Sequence, residues 1–398
     1  MPPGAGKVNN HSKLTVDTLA YGGDAVGRLD SGKVCFVPGG LPGEELEVRV
    51  VQEKNSFVRA ELVQVLSAAP CRKVPPCPAY ERGCPGCAYL HCDYETELQW
   101  KQRQFADFLE RAGLLEHGVM HEPVGAPQRS GYRNKLKLHR MADGKFGMVG
   151  RDNESVIPVQ ECLLAHPEIN RAVKQCSRSG NADTVTWRFT EQDNVTEFST
   201  FSEVKKSNWL TENIPGVGKF KVPVGGFFQT NIAVAAKLIE RAVEEIRSSG
   251  AEELTELYCG CGVFSIAAAK VLPQLRSTGI EVMAESIKAA RWNAGKHGVD
   301  DRCRFFAGDA GAMLERYGKK SSKVLLVDPP RSGLSRQAVD AVISASPERV
   351  IYISCAADTL RRDLQFFQKR DYIAVQAGIF DMFPSTAHFE SMVTLIKR

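Results

Sequence analysis

Four groups of side chains in this 398-residue sequence have the types and spacing to do chemistry. The first is a set of thiols. Cys77, Cys84 and Cys87 form C-x6-C-x2-C, and Cys162 follows in VQECLLAHPE. Three close thiolates and one distant one can supply four ligands to a single metal centre, zinc or an iron–sulfur cluster. Cys71 and Cys92 are spare and could replace a member of the set. The second is Cys355, which ends the apolar run RVIYISC. A thiol at the carboxyl end of a sheet strand, beside a cofactor crevice, is a candidate nucleophile. The third is Glu390, two residues after His388 and just before an apolar run, where a carboxylate can reach the same crevice as a base. The fourth is a nucleotide-type site. LTELYCGCGVFSIAAAK reads as strand, glycine turn and small-residue helix, and Gly260 and Gly262 would let backbone approach a ligand closely. Glu281 ends the next strand about twenty residues on, an offset suited to ribose hydroxyls. The third glycine of the dinucleotide fingerprint is absent, so S-adenosylmethionine fits as well as a dinucleotide. Asp328 ends KVLLVDPP at the expected carboxyl edge of the sheet, with two prolines fixing the backbone behind it. Arg331 follows them, where enzymes methylating exocyclic amines carry an aromatic residue. That argues against amine methylation.

The elements that must position these groups can be read from periodicity. Residues 8–66 alternate apolar and polar positions in short runs separated by Gly, Pro and Asp turns, which predicts a small OB-like barrel as the first domain, 1–66. Residues 67–95 are too rich in proline and cysteine for an ordinary helix or strand. Residues 95–112 predict an amphipathic helix with Leu98, Phe105, Phe108 and Leu109 on its apolar face, ended by Gly113. Residues 121–215 are mostly β-like, so 67–215 is expected to be a mixed α+β central domain carrying the metal site. From 216 to 398 strands and helices alternate, predicting a parallel α/β sheet.

Composition narrows the classes. Hydrophobic residues at 43% and charged residues at 25% exclude a wholly disordered chain. No apolar run is long enough for a bilayer, and MPPGAGKVNNHSK has no apolar leader core, so a reducing cytoplasmic compartment is expected and the 12 cysteines are not expected to be a disulfide framework. The net charge of +4 is uninformative by itself. Within 127–151, however, Arg129, Arg133, Lys135, Lys137, Arg140, Lys145 and Arg151 stand against Asp143 alone. Tyr132 and Phe146 interleave with them, a pattern suited to phosphates and stacked bases of RNA.

The motifs together resemble the RNA uracil-5-methyltransferases. The resemblance rests on Phe228-Gln229-Thr230-Asn231, Leu257-Tyr258-Cys259-Gly260, Asp328-Pro329-Pro330-Arg331, Ser354-Cys355 and His388-x-Glu390, in the family's order. It implies a Rossmann-like domain in which Gln229, Tyr258, Glu281, Asp309 and Asp328 contact or shape the S-adenosylmethionine site. It implies Cys355 as nucleophile and Glu390 as proton acceptor. It identifies the barrel as TRAM-like and favours a [4Fe-4S] cluster over zinc on Cys77, Cys84, Cys87 and Cys162. Barrel plus cluster points to 23S ribosomal RNA as substrate, with transfer RNA as the alternative and a monomeric enzyme as the expected form. Two departures stand out: Ala356-Ala357 replaces the family's Asn-Pro, and Val263 replaces Asn in the cofactor turn. They leave room for a non-catalytic RNA-binding assembly factor on the same scaffold. A cytosine-C5 enzyme would share the cysteine nucleophile, but Asp-Pro-Pro-Arg and Glu390 fit uracil better.

Overall fold

The structure is a computed structural model that describes residues 11–115, 118–175, 183–198, 209–317 and 323–398. The reading of the first ten residues as leader-free, and Cys176, lie outside the described residues. Contacts divide the chain into two compact units rather than the three expected. One contains the residues up to Gln104 together with Phe383–Ala387, and the other contains Phe105–Met382 and His388–Arg398. The cysteine-rich segment and the start of the following helix group with the barrel.

In the first unit, β1 (His11–Leu19), β2 (Ala25–Arg28), β3 (Val34–Val37), β4 (Glu45–Glu53) and β5 (Phe57–Ser67) close a barrel in the order β1-β2-β3-β5-β4. Alternation fills it with Leu14, Val16, Ala25, Val37, Leu46, Val48 and Val58, while their neighbours face outward. Glu44 is buried at its end. Burial pushes its carboxyl up, but Arg72 at 2.5 Å and the Ala69 and Leu41 N–H groups outweigh that and hold it below the usual range. The short α1 (Pro78–Glu81) lies between Cys77 and Cys84. Helix α2 (Tyr94–Glu110) starts where Asp93 Oδ1 accepts the Thr96 N–H.

The second unit begins with β6 (Val119–Met120), β7 (Lys135–Arg140), β8 (Phe146–Val149), β9 (Val156–Pro158), α3 (Pro167–Gln175), β10 (Thr184–Thr190), β11 (Asn194–Phe198), β12 (Trp209–Ile214) and β13 (Gly218–Pro223). It continues with α4 (Ile232–Ser248), β14 (Glu253–Leu257), α5 (Val263–Val271), β15 (Arg276–Glu281), α6 (Ala284–Lys296), β16 (Cys303–Ala307), α7 (Ala310–Tyr317) and β17 (Val324–Val327). The chain ends with α8 (Arg336–Ala345), β18 (Arg349–Ser354), α9 (Ala357–Gln368), β19 (Tyr372–Phe380) and β20 (Glu390–Lys397). A five-stranded sheet runs β11-β10-β7-β8-β9, and β12 pairs with β13. The large sheet runs β16-β15-β14-β17-β18-β20-β19-β6. Strands β14 to β18 pair in parallel, while β20 is antiparallel to both β18 and β19. The expected α/β sheet is therefore present. Its parallel core is buried on both faces, as the unbroken burial of Val324–Val327 shows.

Candidate active site

Sheet register places the chemistry. Leu257 pairs with Ile280 and with Val327, so Tyr258, Glu281 and Asp328 each leave the sheet at the same level. Glu281 pairs with Ala307, and Asp309 follows two residues later. On the other side Ser354 pairs with Ser391, so Cys355 leaves β18 where Glu390 enters β20. The Ser391 hydroxyl donates to Ser354 O at 3.0 Å and locks that register. Read across the sheet, Asp309, Glu281, Tyr258, Asp328, Cys355 and Glu390 occupy consecutive strand ends. This is the carboxyl edge at which open α/β sheets bind ligands.

The cofactor turn is built by backbone strain and close packing. Tyr258 has φ +62°, a left-handed conformation uncommon for a side chain of its size. Gly262 starts α5 at φ +83°, and a Cβ there would meet the Phe305 ring at 2.8 Å, so only glycine fits. Glu281 accepts the Gly260 and Met283 N–H groups, tying the acidic strand end to the turn. Asp309 accepts the Gly311 and Ala312 N–H groups at the start of α7.

A cavity behind this turn is lined by Ile214, Phe227, Phe228, Gln229, Glu256, Tyr258, Val263, Phe264 and Asp328. Glu256 is buried in its wall. Ser265 donates to Glu256 Oε2 from its N–H and its hydroxyl, whereas Oε1 has no hydrogen-bond partner among the described residues. Burial pushes the Glu256 carboxyl up to about 8 and Asp328 up to about 7. A cationic ligand bearing sulfonium and ammonium charges would offset the burial that disfavours their carboxylate forms. The aromatic and aliphatic wall fits its apolar portions. These residues therefore suit S-adenosylmethionine. Val263 sits in the wall as an apolar surface, where the family carries a polar side chain.

Sequence reasoning missed the residues that brace this cavity. Asn134 is buried and donates from Nδ2 to Gln229 O at 3.2 Å, while its N–H reaches Thr230 O. Arg188 is buried in an ion pair with Glu212 at 2.8 Å and reaches the carbonyls of Pro223, Val224 and Gly226. It thereby holds the loop that delivers Phe228 and Gln229. Both sit in stretches whose polar–apolar alternation marks only strands. Proximity to a loop ninety-five residues away in Asn134's case leaves no local signal.

Around the thiol, burial pushes Cys355 up to about 11; Glu390 adds to the rise and Arg331 opposes it, partly through a side-chain hydrogen bond. Glu390 is buried, and its carboxyl stands well above the usual range through burial and then Asp328, against the pull of Arg331. Asp328, Arg331, Cys355 and Glu390 thus form one interacting cluster. Cys355 precedes α9 by two residues, where the positive end of a helix favours thiolate. Ala356 caps α9 without a side-chain bond. The turn is held instead by Ser354 Oγ, which accepts the Ala356 N–H at 3.1 Å, and by the Thr359 hydroxyl, which donates to Arg331 O. Asp363, buried in α9, accepts the Leu334 N–H and the Tyr352 hydroxyl and so fixes the loop after Arg331.

The thiol set behaves differently. Cys77, Cys84 and Cys87 lie in the first unit and Cys162 in the second, all half-buried. Among the described residues no group of three or more His, Cys, Asp or Glu side chains gathers closely enough to hold a metal ion. The expected stacking aromatics are also not available. Tyr132 and Phe146 are both buried; Phe146, on β8, is turned inward by the pleat and stands edge-on to Trp187. Of the basic residues between them, Lys137 and Lys145 remain exposed, whereas Lys135 is half-buried and its ammonium is pulled down by burial, Arg188 and Lys137.

A TRAM-type barrel and a Rossmann-like sheet with a nucleotide-type turn and a cysteine at its edge define a methyltransferase of the class that uses S-adenosylmethionine. Residues 206–398 match the family model of tRNA (Uracil-5-)-methyltransferases, and residues 8–63 match the TRAM domain. The chain thus resembles the RNA uracil-5-methyltransferases over its C-terminal 193 residues and carries a match to the TRAM domain at its N-terminal end. Along its length it is 27% identical over 441 residues to an uncharacterized RNA methyltransferase of Thermotoga maritima, covering 97% of this chain and 99% of that one. It is 28% identical over 423 residues to another from Aquifex aeolicus, covering 96% and 98%. The fold is similar to the crystal structure of Pyrococcus abyssi tRNA (uracil-54, C5)-methyltransferase in complex with S-adenosyl-L-homocysteine. The TM-score is 0.73 and the identity 21%, over 96% of this chain and 100% of that one. Among the described residues no helix is long and apolar enough to cross a membrane.

Proposed function

We propose that the protein methylates C5 of a uridine in RNA through a covalent Cys355–C6 adduct, with Glu390 removing the C5 proton. The observation that carries this reading is the β18–β20 register, which sets Cys355 beside Glu390, next to Asp328 on the cavity wall. Uracil C5 is a poor nucleophile toward a methyl sulfonium. Attack of the Cys355 thiolate on C6 makes an enolate that is nucleophilic at C5, and C5 takes the methyl group. Glu390 then accepts the C5 proton, the C5–H electron pair closes the C5=C6 bond, and the C6–S bond breaks to return the thiolate. Burial that raises the Glu390 carboxyl makes it a stronger proton acceptor once ionised. Arg331, bonded to the thiol, stabilises the charge that forms there. Gln229, Tyr258, Glu281, Asp309 and Asp328 hold S-adenosylmethionine, and the target base must be turned out of its stack to reach Cys355.

Large-subunit ribosomal RNA is the first reading of the substrate, supported by the barrel combined with the cysteine set. Transfer RNA is the second, supported by the family model's description and the Pyrococcus abyssi neighbour. The enzyme acts in the cytoplasm on this reading. Cys77, Cys84, Cys87 and Cys162 remain a proposed iron–sulfur set, with zinc second, on sequence spacing. Absorbance and metal content of anaerobically prepared protein test it: a broad visible band with stoichiometric iron supports the cluster, and colourless metal-free protein removes it. The function is tested by mapping 5-methyluridine in ribosomal and transfer RNA from cells with and without the gene. Loss of one ribosomal position on deletion is expected. Loss of a transfer-RNA position instead selects the second reading, and an unchanged map defeats both.

A further inference from the structure

The strand that begins at Glu390 is preceded by a tight segment, and that segment is held by one face of α2. Glu97, Lys101 and Phe105 recur at i, i+4 and i+8, and all three are buried. Glu97 Oε1 accepts the Ser385 N–H at 2.6 Å and the Lys101 ammonium at 2.8 Å. Lys101 also donates to Phe383 O at 3.2 Å. The Ala88 and Tyr89 N–H groups both donate to Ser385 O. Ser385 is buried at φ +68°, a left-handed conformation that its surroundings must hold in place. Farther along the same face, the Phe105 ring stands edge-on to Phe389, at 5.8 Å between centroids, and Phe389 immediately precedes Glu390. A fully buried ion pair is seldom kept for stability alone, since apolar residues of the same volume often serve as well. Here each charge also bonds the backbone of one segment, Glu97 at Ser385 and Lys101 at Phe383.

We propose that Glu97, Lys101 and Phe105 are positioning residues for the proton acceptor: they hold Phe383, Ser385 and Phe389 and thereby set where Glu390 meets the C5 proton. The proposal rests on the roles given above to Cys355 and Glu390. It separates two steps of the cycle. Attack by Cys355 and methyl transfer do not use Glu390. Proton removal from C5, which closes the C5=C6 bond and expels the thiolate, does.

The test measures both steps in Glu97→Gln, in the volume-matched pair Glu97→Gln/Lys101→Met, and in the uncharged change Phe105→Leu. RNA carrying 5-fluorouridine reports attack and methyl transfer, because the methylated adduct has no C5 proton to lose. RNA with ordinary uridine reports elimination, through adduct lifetime and the isotope effect of deuterium at C5. The expected result is trapping within about threefold of the parent and elimination slowed about tenfold or more (about 1.4 kcal/mol). A Cys355–RNA adduct then accumulates and the isotope effect rises. Equal loss of trapping and elimination in all three variants, or elimination at the parent rate in any variant that traps normally, overturns the proposal. Glu390→Gln is the control. If it turns over ordinary uridine rapidly, the reading of Glu390 as acceptor fails. If it accumulates adduct while the three variants do not, the positioning role alone fails.

Discussion

Glu256→Gln isolates the electrostatics of the cofactor cavity. The parent carboxyl is buried and raised from about 4.5 to about 8, chiefly by burial, against the two Ser265 donors. Because its folded value lies above its unfolded one, the native state binds more protons than the unfolded state across that interval. Stability is therefore full below about pH 4.5 and falls as pH rises toward 8. At pH 7 the difference is roughly 2.5 pH units at 1.36 kcal/mol each, or about 3 kcal/mol, and it saturates near 5 kcal/mol above pH 8. Glutamine keeps the acceptor for Ser265 and removes the titration. Any constant offset from its amide N–H cancels in the pH dependence. The melting temperature of the variant relative to the parent should thus climb between pH 5 and pH 8, by roughly 5–10 °C. The same change should weaken S-adenosylmethionine binding most at high pH, where the parent offers a carboxylate to the ligand's cationic groups. Calorimetry across pH 5–9, with and without S-adenosylmethionine, reads both. A melting difference that stays flat with pH, or that falls as pH rises, refutes a carboxyl held neutral by burial in that wall.

Other consequences follow from the same geometry. Cys355, raised to about 11, is a thiol at neutral pH, so trapping on 5-fluorouridine RNA should accelerate about tenfold per unit between pH 7 and 9; a flat profile would mean the thiolate is already formed. Gly262→Ala forces a side chain into φ +83° and against Phe305, and should cost about 2 kcal/mol or more and abolish cofactor binding in calorimetry. Asn134→Ala removes the bond to Gln229 O, about 1 kcal/mol, and should raise the KM for S-adenosylmethionine about fivefold while leaving kcat for bound RNA within twofold.

The sheet and its site were legible because their signals are local. Apolar β-branched runs ending in Tyr258, Asp328 and Cys355 announce buried parallel strands, and their ends are where such sheets bind ligands. The barrel was legible for the same reason: short alternating runs between glycine turns leave few architectures. What stayed hidden depends on distant contacts or on polar burial. The face of α2 was read from Leu98, Phe105, Phe108 and Leu109, yet Leu98 and Phe108 are only half-buried while Glu97 and Lys101 are fully enclosed. Apolar periodicity finds Phe105 and Leu109 but cannot register the charged members of the same buried face. Basic neighbours make Tyr132 and Phe146 read as base-stacking rings, but both are buried, Phe146 on β8 and Tyr132 in the stretch before β7. The two-unit division was unreadable because Phe383–Ala387 joins the first unit from nearly three hundred residues downstream of α2's start, as the Ser385–Glu97 bond shows.

The most direct test of the central claim is peptide mapping of the covalent complex formed with 5-fluorouridine RNA and S-adenosylmethionine. The account predicts a single modified peptide, carrying Cys355 joined to a methylated fluorouracil nucleotide, and no complex from Cys355→Ala. A complex on any other cysteine, or one that still forms in Cys355→Ala, would contradict it.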